Sequence, residues 1–422
     1  MSLTRRQLGG LLGAAGAAAL LPRRAVASRP SDRRFLFVHA RGGWDPTVAL
    51  LPAFDAADME PAAAPATAGG VTFVDHPERP SVHDFFTAWG PRCALLHGME
   101  VRSVAHERCE RIVLTGNGGS GRDDWPSLLA AHATGDPVLP YLLIAGSAFN
   151  SQYADRVVRV GDNGQLPELL SGEALTQVEG PPFSVPPAGV AALEEAYLAR
   201  RIERALDAGA RGDARIFSER YGAILDQMAR FGDEADGIDL SPTDLGCERD
   251  LASDAATAFD CFEQGLSRCA MIRYDGWCGE GWDTHTSTAL QSLNFGDLFS
   301  YLDRILTDLD GRVAPDGGAL ADQVTICVFS EMGRAPRLNS WGGKDHWTYT
   351  SALLMGAGIR GGQTLGGVDS AGRGRPIDLA TGGDGATPLV AGHLGATLLT
   401  LGGLDPAAFI GEVPPIAAAM EG

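Results

Sequence analysis

The chain has 422 residues, 34 Lys and Arg against 53 Asp and Glu, and a formal charge of −19. A balance this acidic excludes electrostatic capture by nucleic acid or by anionic lipid. The length allows a large buried core, in one extended domain or a domain with a lobe. Seven cysteines without any C-x-x-C pair exclude a zinc ribbon or a thioredoxin-type redox motif.

The first element is a targeting segment. Arg5-Arg6 precede an apolar run from Leu8 to Leu21, and Ala25-Val26-Ala27 supplies small residues for cleavage. A twin arginine before such a run reads as a Tat signal over residues 1–27, with the Tat translocon as partner during export to the periplasm or outside. The alternative is an arginine-containing tail before a chance alanine-rich run. The apolar run falls short of the ~20 residues that span a bilayer, so no permanent membrane span is expected. Loss of 1–27 removes four arginines and no acidic residue, taking the charge to −23.

The mature chain alternates strands and helices. Arg34–His39 reads as the first core strand, closed by Ala40-Arg41-Gly42-Gly43, and 51–70 as a Pro/Ala/Gly-rich surface excursion. Cys93–Met99 is a second strand, Val104–Thr115 a helix, and Val138–Ala145 a short third strand. Apolar residues at three- and four-residue intervals predict helices from Val190 to Phe231, then from Ala252 to Ile272 and Leu290 to Leu309. Val324–Phe329 and Thr350–Met355 are further strands, and His393–Leu401 is a terminal helix. Strand–helix alternation on both sides of the helical block predicts one discontinuous α/β core. Cys261 and Cys269 lie eight residues, or ~12 Å, apart along a helix, so they pair only if that helix breaks. Cys327 reads as a buried thiol in its strand.

Three polar clusters carry the chemical signal. Arg41-Gly42-Gly43-Trp44-Asp45 follows the first strand, Gly281-Trp282-Asp283-Thr284-His285 forms the second, and Gly342-Gly343-Lys344-Asp345-His346 the third. Asp and His supply the ligands preferred by Zn²⁺ or Mn²⁺, and loops beyond strand ends are where open α/β sheets hold their sites. Each cluster also has a structural reading. Asp45 caps a helix, Asp283 and His285 form an ordinary loop pair, and Asp345-His346 make a capped turn. Glu331 is a direct oxygen ligand or a supporting carboxylate. Arg334 and Arg337 hold anionic oxygens or form surface ion pairs. Lys344 is the only lysine in the chain.

The signal, RGGWD, GWDTH, SEMGRAPR and GGKDHW together resemble the DUF1501 family of exported bacterial proteins, and these resemble the alkaline phosphatase and sulfatase superfamily. The resemblance implies an α/β sheet sandwiched by helices over 28–422, with a mainly helical accessory segment at about 190–272. It implies a hydrolase of phosphate or sulfate esters, on an anionic small molecule or glycan, using one or two divalent metals. By resemblance Asp45, Asp345 and His346 hold one metal and Asp283, His285 and His393 the other. Ser103 would be the nucleophile, with Thr47 another hydroxyl candidate; His106 is a ligand, a general acid or a core residue fixed by hydrogen bonding, and Arg334 and Arg337 are the substrate anchors. Asp283 and His285 are two residues apart where many relatives have four, and Ser103 also reads as a helix cap. No C-x-P-x-R segment supports a sulfatase-type modified cysteine. A noncatalytic exported binding or assembly protein on a degenerate hydrolase scaffold is the alternative, its protein partner unknown.

Overall fold

The computed structural model describes residues 32–160, 188–234, 238, 240 and 249–421. The expected signal peptide and Cys247 lie outside them. Twelve strands are described: β1 Arg34–Ala40, β2 Ala64–Ala68, β3 Val71–Asp75, β4 Cys93–Glu100, β5 Tyr141–Leu143, β6 Val157–Arg159, β7 Cys269–Tyr274, β8 Val324–Phe329, β9 Gly333–Arg334, β10 His346–Trp347, β11 Tyr349–Gly356 and β12 Gln363–Gly366. Eight form one sheet in the order β12-β4-β11-β8-β1-β7-β5-β6. All run parallel except β11, which is antiparallel to both β4 and β8. β1 sits in the middle, registered on β7 and β8, and its apolar run serves both faces of the sheet.

The alternation of side chains along β1 builds two cores. Leu36 and Val38 point to one, where the helices Pro80–Trp89, Leu251–Glu263 and Ala289–Asp310 contribute Phe85, Phe259, Phe262, Phe295 and Leu302. Phe35 and Phe37 point to the other, covered by His106–Thr115, Trp125–Ala131 and Ala391–Leu401. The expected class, a central sheet between helical layers, therefore holds. No described helix is long and apolar enough to cross a membrane.

Local chemistry explains the departures from the sequence reading. The helix expected over Ala252–Ile272 ends at Glu263, because Gly265 adopts a positive φ of 72°. The chain then enters β7, so Cys261 and Cys269 lie in different elements, and both are free. Cys93, Cys109 and Cys327 are also free and buried, while Cys278 is disulfide-bonded. Within the expected strand Val138–Ala145 only Tyr141–Leu143 pairs, after Pro140, which has no N–H to give a ladder. The Pro/Ala/Gly stretch at 51–70 contains β2, joined to β3 by Gly69-Gly70 with both φ positive, the requirement of a tight two-residue hairpin turn. Of the expected helical segment at about 190–272, Ala188–Asp207 and Asp213–Glu234 pack on each other, whereas Leu251–Glu263 belongs to the core.

Candidate metal centre

The parallel strands deliver their following loops to one edge of the sheet. β1 gives Arg41–Asp45, β4 the segment to His106, β7 the loop through Asp283 and His285, and β8 Ser330-Glu331. Antiparallel β11 starts at that same edge, which places His346, three residues before it, beside the others. Aromatic packing fixes the loops. Trp44 and Trp282 meet edge to face with centroids 6.3 Å apart, Trp282 packs on Phe295 at 4.8 Å, and Trp44 Nε1 donates to Thr350 Oγ1 at 2.9 Å.

At the edge, one ligand atom from each of His106, Asp283 and His346 lies within 4.8 Å of the other two. His285 completes the group, its Nε2 3.0 Å from Asp283 Oδ1 and 3.0 Å from His346 Nε2. The three histidines are half-buried, and Asp283 is 48% exposed in its side chain, so the group opens to solvent on the carboxylate side.

The surroundings settle which nitrogens carry protons. His106 Nδ1 lies 2.6 Å from Glu331 Oε1, and His346 Nδ1 lies 2.7 Å from the Val104 carbonyl. A carbonyl only accepts, so His346 Nδ1 is the protonated atom, and in the neutral ring its Nε2 presents a lone pair. His106 Nε2 is buried with no hydrogen-bond partner and faces Asp283 Oδ2 at 3.4 Å. His285 Nδ1 lies 3.4 Å from Asp345 Oδ1, which is itself fixed by Asn339 Nδ2 at 3.0 Å. The 3.0 Å between His285 Nε2 and His346 Nε2 is bridged either by a proton from His285 or by a cation. Three imidazole nitrogens and one carboxylate are a donor set suited to Zn²⁺ and also to Mn²⁺. The set therefore fits a divalent ion on the chemistry of its own atoms.

The supporting layer is made of buried groups. Glu331 is fully buried, accepting from Gly42 N at 2.9 Å and lying against His106, Ser330 Oγ at 3.2 Å and His39 Nε2 at 3.3 Å. Burial alone would raise its pKa. The bonds from His106 and His39 outweigh that and hold it well below the usual carboxylate range. In return Glu331 raises the pKa of His106. Gly42 reaches Glu331 because its φ is +123°, and a Cβ there would stand 3.0 Å from the Asp283 nitrogen. Arg334, 2% exposed, donates Nε to the Gly43 carbonyl at 2.7 Å and Nη2 to the carbonyls of Gly42 and Trp282 and to Asp283 Oδ1, the last at 2.7 Å. Burial raises the Asp283 pKa, but the bonded Arg334 guanidinium, with the imidazoles of His346 and His106 beside it, brings it down to about 2.

The sign of that shift gives a pH prediction. A carboxylate whose folded pKa is depressed adds stability above its unfolded pKa and loses it as pH falls. The Asp283 contribution is thus present above pH about 4 and lost towards about 2. The metal-free protein should show Tm falling more steeply over that interval than Asp283→Asn does; equal slopes would contradict the assignment.

The other residues singled out in the sequence take different places. Asp45, 1% exposed, caps the short helix Pro46–Ala49, its Oδ1 accepting from Thr47 N and Oγ1 at 3.0 and 2.7 Å. Its Oδ2 pairs with Lys344 Nζ at 2.7 Å. Ser103 Oγ accepts from Ala105 N at 3.3 Å, just before the His106–Thr115 helix. His393 is buried in its helix with Nδ1 2.9 Å from the Pro414 carbonyl, and Arg337 pairs with Asp58 on the surface at 2.8 Å. Asp345 is exposed beside His285. His39 was not singled out by the sequence, where it is one more residue of an apolar strand; the signal was its place at the end of β1.

Residues 87–411 match the family described as Protein of unknown function (DUF1501). The chain belongs to the DUF1501 family. The motif-based resemblance is thereby established for three of its segments, while RGGWD precedes the matched residues. No curated protein matches the chain. Among solved structures, one similar to this chain is Ps i-CgsB, with 8% identity, TM-score 0.38, and coverage of 88% of this chain and 72% of that one. A putative sulfatase from Bacteroides thetaiotaomicron VPI-5482 shows 11% identity, TM-score 0.36, and coverage of 92% and 75%. BT4656, in complex with its substrate D-glucosamine-2-N,6-O-disulfate, shows 11% identity, TM-score 0.34, and coverage of 92% and 80%.

Proposed function

We propose that this DUF1501 protein is an exported, metal-dependent hydrolase of phosphate or sulfate esters. The observation that carries the reading is the convergence of His106, Asp283, His285 and His346 at one open edge of the sheet, with Nε2 of His106 buried, without a hydrogen bond and 3.4 Å from Asp283 Oδ2. These four residues would hold the ion. A bound divalent ion would supply Lewis acidity, polarising an ester oxygen and stabilising charge on the leaving group.

The chain's own residues prepare that position. Glu331 and the Val104 carbonyl orient two of the rings, the arrangement by which supporting groups set the tautomer of metal-binding histidines. Arg334 clamps the Gly42–Gly43 and Trp282–Asp283 backbones together, which makes it a positioning residue. Ser103, three residues before His106, is carried as the proposed nucleophile. The Arg5-Arg6 signal supports export, and a cytoplasmic location of the unchanged chain after cell fractionation would contradict it.

One observation favours a second reading. Among the described residues, neither candidate nucleophile is hydrogen-bonded to a residue of the cluster: Ser103 Oγ accepts from Ala105 N, and Thr47 Oγ1 donates to Asp45 and accepts from Lys344. A metal-retaining binding protein without turnover would look like this. Turnover assays on phosphate monoesters, phosphate diesters and sulfate esters with Zn²⁺ or Mn²⁺ separate the two. The hydrolase reading expects activity lost in Asp283→Ala and His106→Ala, with folding intact. Ser103→Ala should abolish any covalent burst. Metal retained with no turnover on any class would favour the binding protein.

A further inference from the structure

Seven cysteines are an odd number, so at least one thiol stays unpaired within a single chain. Five of them, Cys93, Cys109, Cys261, Cys269 and Cys327, are free and buried, and Cys278 is disulfide-bonded. Only Cys247 remains as its partner within the chain. Cys247 lies outside the described residues, and the count of sulfurs alone identifies it. The free thiols do not compete for it. Burial raises the pKa of each, to about 11 for Cys109 and about 12 for Cys93, Cys261 and Cys327, so they stay protonated and shielded from exchange at neutral pH. Cys278 differs, being half-buried in the exposed turn Trp277–Gly279.

That turn opens the loop between β7 and the helix Ala289–Asp310, five residues before Asp283 and seven before His285. Buried Asn294 of that helix grips its base. Asn294 Oδ1 accepts from Trp277 N at 2.8 Å, and Nδ2 donates to the Gly281 carbonyl at 2.8 Å. Gly281 N closes the turn on the Asp275 carbonyl at 2.7 Å. At the tip Cys278 takes a φ of +50°, a left-handed value that a non-glycine residue keeps only when its surroundings impose it. A covalent cross-link is such a constraint. Cys247 stands three residues before Asp250, which caps the core helix Leu251–Glu263 and whose Oδ2 receives Arg304 Nη2 at 3.2 Å. The disulfide therefore ties the loop bearing two of the four proposed ligands to the start of a core helix.

We infer that the Cys247–Cys278 disulfide is a redox latch on the metal centre, closed in an oxidising compartment and open where thiols stay reduced. This rests on the metal-centre reading above and adds its regulation. Closure takes a disulfide donor, either an oxidised dithiol oxidoreductase or oxidised glutathione. One cysteine attacks the donor as its thiolate, the other displaces the mixed disulfide, and the donor leaves as two thiols. Two electrons and two protons pass from the cysteine pair to the donor, and excess thiol reverses the exchange. Opening the latch leaves the Asn294 contacts in place and frees the tip of the turn, so Asp283 and His285 are held less firmly.

Peptide mapping tests the pairing without reference to metal or activity. Full-length protein, denatured and alkylated without reductant, should yield one peptide pair linked through Cys247 and Cys278. Cys278 recovered as an alkylated thiol, or linked to another cysteine, would overturn the proposal. Chymotrypsin cleavage after Trp277, 45% exposed, reads the latch in metal-free protein. The paired variant Cys247→Ser with Cys278→Ser should be cut about tenfold faster than the oxidised parent, and the parent reduced by a thiol-free phosphine should match it. Equal rates for the oxidised and reduced parent would contradict a latch. The Zn²⁺ affinity of the paired variant should fall by about tenfold, and an unchanged affinity would show that the cross-link does not govern the ligands. Zinc bound by neither protein, with the linked peptides and the protected turn both observed, would remove the metal-centre reading and leave the disulfide-held loop standing.

Discussion

Replacing His346 by alanine lowers the affinity for Zn²⁺ by more than about 100-fold while the fold persists. The expectation follows from the number of ligands. A four-ligand protein zinc site is worth ~10–16 kcal/mol, so one ligand accounts for roughly a quarter of it. At about 1.4 kcal/mol per tenfold, that is roughly two to three orders of magnitude. His346 is a favourable choice because its polar and ring contacts among the described residues are with the Val104 carbonyl, Asp283, His285 and His106, all at the site. Isothermal titration with a competing chelator measures the change. An affinity within threefold of the parent would place the ion elsewhere.

Arg334→Ala should be the most damaging single substitution in the site loops, costing about 3–5 kcal/mol of unfolding free energy. The guanidinium is buried and satisfies carbonyls of Gly42, Gly43 and Trp282 as well as the Asp283 carboxylate. Its loss takes a donor from each of these acceptors, although Gln291 Nε2 still reaches the Gly43 and Trp282 carbonyls, and loosens two loops from each other. Arg334→Lys should recover little, since one ammonium cannot reach acceptors spread across a planar fork. Denaturant melts of the metal-free protein provide the readout. A loss under 1 kcal/mol would mean the loops are held by the Trp44–Trp282–Phe295 packing alone.

The sequence was most readable where one force dominates. RFLFVHA and VTICVF are continuous apolar runs, and both became central strands buried on each face. The Asp283, His285 and His346 loops were found because Asp and His stand out beside glycines at strand ends. Two kinds of information were hidden. CAMIRY follows a helix that ends at a single glycine, Gly265, and its pairing with β1 depends on residues more than 200 positions away. The partition of the polar residues was hidden as well. Asp45 and Asp283 follow β1 and β7 in similar Gly-Trp-Asp settings, but only the structure shows Lys344 arriving at one and three imidazoles at the other. His106 was legible as a polar residue of the site, whereas its role as the partner of Glu331 required knowing that β8 ends against the His106–Thr115 helix. Arg334 reads in sequence as an anchor for anionic oxygens or a surface ion-pair residue, because nothing local reveals the carbonyls it meets.

The central claim is that imidazoles from two separate loops and one helix start share a cation with Asp283. Anomalous scattering from crystals grown with Zn²⁺ measures this most directly. The account predicts one strong peak at ~2.0–2.2 Å from His106 Nε2, His346 Nε2 and an Asp283 oxygen, with His285 Nε2 turned toward it. A well-ordered protein with no peak among these atoms at saturating Zn²⁺, or with its peak at Asp45 instead, would contradict it.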